Sequence, residues 1–114
     1  MALKIYHNPR CAKSRNGLKY LQAKTSDIII CEYIKNGISI AELKEIALKS
    51  NVKPFEMIRK NEELYRKELK GRSFTDDEWF IILSENPGLL RRPVIIGKHK
   101  AVWGDPVENI DLLI

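Results

Sequence analysis

A chain of 114 residues and 13.2 kDa has room for one domain, large enough to bury a hydrophobic core without disulfides or structural metal. Its 44% hydrophobic and 31% charged content excludes a disordered chain, and two cysteines with two histidines exclude a disulfide-dense scaffold or a cysteine-rich zinc module. The net charge of +5 is spread among glutamates, as in Glu62-Glu-Leu-Tyr-Arg-Lys-Glu68, and reads as solvated helix surface with no nucleic-acid footprint, while its sign favours anionic ligands.

No apolar run of signal-peptide length develops before Asn8-Pro9. The longest hydrophobic run, Ile28–Cys31, is far below the roughly 20 residues of a membrane span, so a cytoplasmic protein without membrane contact is expected.

Leu3-Lys-Ile-Tyr6 alternates apolar and polar residues and stops at His7-Asn-Pro9, as a strand delivered into a loop does. Leu18 and Leu21 then recur at helical spacing, which predicts a helix from about Ser14 to Lys24. Ile28-Ile-Ile-Cys-Glu-Tyr33 has the pattern of a central strand buried on both faces. Strand, helix and strand make a βαβ unit, hence a parallel pair.

Residues 38–86 read as wholly helical. Ser39-Ile-Ala-Glu42 is a capping box for a helix to about Ser50, with Leu43, Ile46 and Ala47 on its inner face. Pro54 suits the first turn of a short helix, and Asn61 suits the cap of another containing Leu64 and Leu69. Thr75-Asp-Asp-Glu78 is a second capping box, for a helix through Trp79, Ile82 and Leu83 that Asn86-Pro-Gly88 ends.

Pro93–Ile96 and Ala101–Trp103, joined by Gly97-Lys-His-Lys100, form an antiparallel hairpin. Asp105-Pro-Val-Glu108 has the form of an N-cap, a first-turn Pro and a third-position Glu, for a last helix through Ile110, Leu112 and Leu113. The order predicts an α/β protein of thioredoxin-like layout, a mixed β-sheet (β-α-β, then β-β-α) with an all-helical insertion between the second and third strands. No long apolar stripe is left over, so a monomer is expected.

Cys11 stands between the first strand and the first helix, with Arg10, Lys13 and Arg15 close in sequence. The unpaired N–H groups of a helix start and nearby cations favour thiolate over thiol, and the same groups can hold a tetrahedral oxyanion above the sulfur. An inert small residue in a loop is the competing reading. Cys31, inside an isoleucine run, reads as a buried hydrophobe, poorly placed to pair with Cys11.

His7-Asn-Pro-x-Cys11-x-x-Ser14-Arg15-Asn16, Met57-Ile-Arg59-Lys-Asn61 followed by Tyr65, Phe74-Thr-Asp-Asp77 and Leu90-Arg-Arg92-Pro93-Val-Ile together resemble the ArsC-type, glutaredoxin-coupled arsenate reductases, over nearly the whole chain. The resemblance implies a thioredoxin-like fold in which Cys11 attacks arsenate to form a thioarsenate, with no bound cofactor. Glutathione as co-substrate and glutaredoxin as partner then complete reduction to arsenite. It also implies that Ser14 and Arg15 help hold the thiolate and the substrate, that Arg59 and Arg92 grip the oxyanion, that His7 lies near the cysteine, and that Pro93 is a cis-proline facing it.

The residue types agree with those roles. Arginine offers a planar fork able to hold two oxygens of a tetrahedral anion, and Arg91, next to Arg92 at a strand entry, is expected to point away. Ser14 stands where a C-x-x-C motif would need a second thiol, so an external thiol must resolve any adduct on Cys11.

The chain departs from the family pattern at Asp105, which falls where these reductases carry a third arginine and is expected to cap the last helix instead. Ala12 and Lys13 replace a common Gly-Thr. Two further readings stand beside the reductase: an ArsC-like thiol oxidoreductase acting on glutathione adducts, and a regulator resembling Spx that binds RNA polymerase, against which Ser14 counts.

Overall fold

A computed structural model describes residues 2–114 and begins with β1 (Leu3–Tyr6), α1 (Ala12–Lys24) and β2 (Ile28–Cys31), in which β1 and β2 are parallel. β3 (Val94–Ile96) and β4 (Ala101–Trp103) form the antiparallel hairpin, and β3 also pairs antiparallel with β1. The sheet order is β2-β1-β3-β4, the thioredoxin-like mixed arrangement expected. Among the described residues no helix is long and apolar enough to cross a membrane.

Strand alternation divides the interior into two layers. Ile5 and Ile95, paired across β1 and β3, face Leu21 of α1 and Ile110 of the 3₁₀ segment Val107–Leu113. Tyr6, Val94 and Ile96 face the larger core with α3 (Ile40–Ser50) and α4 (Asp76–Glu85), which bury Leu43, Ile46, Trp79 and Leu83 against them. Both capping boxes form in full: Ser39 and Thr75 accept from the Glu42 and Glu78 N–H groups, and each glutamate returns a bond to the cap backbone.

Three local expectations are corrected. β2 is an edge strand with Ile29 and Ile30 50% and 46% exposed, because the chain leaves it directly into the short α2 (Tyr33–Asn36) and the central places go to β1 and β3. That exposure also removes the ground for expecting no leftover apolar surface. The helix after Asn61 is a π-helical turn, Tyr65–Leu69, without a side-chain cap. The last helix is 3₁₀, and Asp105 does not cap it: the Asp105–Pro106 peptide is cis, Pro106 stands at the cap, and the Asp105 carboxylate turns to Lys13.

The segment between β2 and β3 also makes one sheet-like contact that helical periodicity does not foresee. Ile58 and Leu90 form an isolated antiparallel bridge, closed by Arg59 N–H to Leu89 O at 2.7 Å and Arg91 N–H to Met57 O at 2.9 Å.

Candidate active site

Cys11 is the N-cap of α1, which starts at Ala12 and so sooner than the periodicity indicates. Its sulfur makes no cap bond of strict geometry, but it draws on the N–H groups of the first turn and on Arg92. Burial pushes the thiol up; the Ser14 N–H, the Arg92 guanidinium and the Lys13 N–H outweigh it and hold Cys11 below the ordinary cysteine value. The half-buried Cys31 has no such donors, and burial pushes its thiol up. Both cysteines are free.

Cys11, Arg59 and Arg92 line one cleft of about 310 Å3. The Ile58–Leu90 bridge brings the two arginines there from distant parts of the chain. Arg92 is anchored: its side chain is 10% exposed and Nη1 donates to Gly88 O at 3.0 Å. Arg59 Nη1 meets Glu62 Oε1 at 2.5 Å, and the same oxygen lies 3.8 Å from Arg92 Nη1. Arg91 is exposed as expected yet lines the cleft, stacked on Trp103 at 5.2 Å and donating to Glu56 O.

Behind the cysteine, Ser14 is fully buried. Its hydroxyl accepts from the Asn8 N–H at 2.9 Å and shares a proton with His7 Nδ1 at 2.7 Å, tying the loop's two ends together. Burial lowers the His7 pKa against the pull of Glu32, so the ring is neutral near pH 7. Arg15 is exposed and donates to Pro9 O at 3.0 Å, bracing the loop from outside the cleft. The Arg92–Pro93 peptide is cis, and the Pro93 ring lies against Gly17 of α1.

At the rim, Lys13 and Asp105 pair at 3.0 Å. Two buried polar atoms lack a hydrogen-bond partner among the described residues, Arg92 Nε and the Tyr33 hydroxyl. Burial pushes Tyr33 up to about 12 despite Arg92, so near neutral pH it is a protonated donor beside the clamp. Among the described residues no group of three His, Cys, Asp or Glu side chains converges for a metal ion.

Sequence reasoning passed over Glu62 and Tyr33. Glu62 stands among the solvated glutamates of the sequence, although its spacing of three residues from Arg59 is that of a helical turn, where side chains meet. For Tyr33 the only available sign was a large aromatic directly after β2.

The profile of the ArsC family matches residues 6–113. An arsenate reductase of Haemophilus influenzae is 37% identical over 112 residues, which are 96% of this chain and 97% of that protein. One from Neisseria meningitidis is 32% identical over 98% of this chain and 97% of its own length. The solved structure of an arsenate reductase from Vibrio cholerae superposes with a TM-score of 0.93 at 32% identity, covering 100% of this chain and 98% of that one. With the cysteine at a helix start, the paired arginines and the cis-proline in place, the chain belongs to the ArsC family.

Proposed function

We propose that this protein is an arsenate reductase in which Cys11 is the nucleophile. The observation that carries the reading is the lowered Cys11 thiol at the start of α1, facing Arg59 and Arg92 in one cleft. The arginines take arsenate oxygens, and the first-turn N–H groups stabilise negative charge next to the sulfur. The thiolate attacks arsenic, an As–S bond forms, and an oxygen leaves as water with protons from solvent. Lacking a neighbouring thiol, the adduct waits for glutathione. Two glutathione thiols, with glutaredoxin acting on the mixed disulfide, deliver two electrons; arsenic goes from oxidation state five to three and glutathione disulfide forms.

The test is arsenite formation by purified protein with arsenate, glutathione and glutaredoxin, beside Cys11→Ser. Turnover that disappears in Cys11→Ser is expected. No arsenite above that variant at saturating arsenate would overturn the reading, and reduction of a glutathione mixed disulfide by the same protein would move it to the thiol-oxidoreductase alternative. Co-purification of RNA polymerase subunits would speak for the regulator.

A further inference from the structure

The two arginines already hold an anion of the protein's own. Glu62 Oε1 lies 2.5 Å from Arg59 Nη1 and 3.8 Å from Arg92 Nη1, between two cations that line the cleft with Cys11. A carboxylate offers the same planar pair of acceptors that a face of a tetrahedral oxyanion offers. A ligand seated on the clamp therefore meets an Arg59 N–H already bonded to Glu62 and an Arg92 charge already partly offset by it.

The Arg92 guanidinium is fixed, whereas the Arg59 side chain and the Glu62 carboxylate hold each other. Arg92 is nearly enclosed and tied to Gly88 O, and the Arg59 backbone is pinned by its 2.7 Å bond to Leu89 O. Glu62 is one-third exposed and holds its place through the arginines, so rotation about its side chain would return the carboxylate to water. We propose that Glu62 is an internal ligand of the two-arginine clamp, which an incoming oxyanion displaces, and that it thereby sets the anion affinity of the site. The inference rests on the clamp being the oxyanion subsite of the proposed reaction.

Sulfate tests this without chemistry, since it carries two charges and cannot be reduced here. Calorimetric titration at fixed ionic strength would compare the wild type with Glu62→Gln, Glu62→Ala and Glu63→Gln. Glu63 makes the control because its carboxylate pairs with Lys67 at 2.7 Å on exposed surface, so its removal changes net charge equally. Both Glu62 variants should bind sulfate roughly three- to fivefold tighter, the upper part of the range of a partly exposed ion pair, and Glu63→Gln within about twofold of wild type. Equal or weaker binding in the folded Glu62 variants, or equal tightening in Glu63→Gln, would overturn the proposal. Failure to form arsenite alongside tighter sulfate binding would remove the reductase reading and leave Glu62's role standing; arsenite formation without tightening would do the reverse.

Discussion

Ile58 and Leu90 pair as an isolated antiparallel bridge, and that bridge places Arg59 beside Arg92. Both side chains are buried, at 1% and 0% exposure, so the contact holding the clamp together is apolar while the groups it presents are charged. Leu90→Ala should cost about 2–5 kcal/mol through lost burial and the cavity left behind. Sulfate affinity should weaken with it, because the backbone that carries both arginines loosens. Urea denaturation and sulfate titration check the two halves; full affinity in a destabilised variant would show that the bridge does not position the clamp.

The Cys11 thiol gives the clearest pH signature. Its folded pKa lies below that of an ordinary, unfolded cysteine. The thiolate therefore adds stability above the unfolded value, and this contribution is lost as pH falls through the folded value. The stability difference between wild type and Cys11→Ser should grow with rising pH across that window. Iodoacetamide alkylation should show a midpoint below the free-thiol value, and Arg92→Gln should raise it by removing both a donor and a charge. An unshifted midpoint in Arg92→Gln would assign the effect to the helix start alone.

Elements that depend on local rules were readable from sequence. The two capping boxes and the hairpin each rest on residues a few positions apart, and each formed as expected. What depended on distant partners was not. An isoleucine run states that a strand is apolar but not whether it pairs on both sides, which is why β2 read as central and lies at the edge. Asp105 matched a capping pattern, yet the Lys13 ammonium, far away in sequence, holds its carboxylate. Glu62 looked like one more surface glutamate because the bridge that brings Arg92 near it is a single residue pair with no periodicity to announce it.

His7 and Ser14 lead to a second pH effect. In Ser14→Ala the Asn8 N–H and His7 Nδ1 both lose their partner inside a buried pocket, at about 1–3 kcal/mol. Because burial lowers the folded His7 pKa, the unfolded chain takes up a proton first on acidification. Stability should fall as pH drops below the unfolded value of about 6.5 and continue falling through the folded value. His7→Gln, which cannot titrate, should flatten that segment of the curve in chemical denaturation. A wild-type curve as flat as the variant's would show that His7 does not contribute.

Gly17 separates helix propensity from packing. On an open helix surface Gly→Ala stabilises by up to about 1 kcal/mol. Here an added Cβ would sit 2.6 Å from Pro93 Cγ, so either α1 or the Arg92–Pro93 segment must move. Gly17→Ala should therefore destabilise, by about 1–3 kcal/mol, since overpacking against a rigid ring exceeds the propensity gain. The shift should also reach the site, because Cys11 caps the same helix and Arg92 directly precedes that proline. A lower melting temperature together with slower Cys11 alkylation at fixed pH is the expected pair of results. A variant more stable than wild type would mean that the proline yields without cost and that the close approach of α1 does not hold the two halves of the site in register.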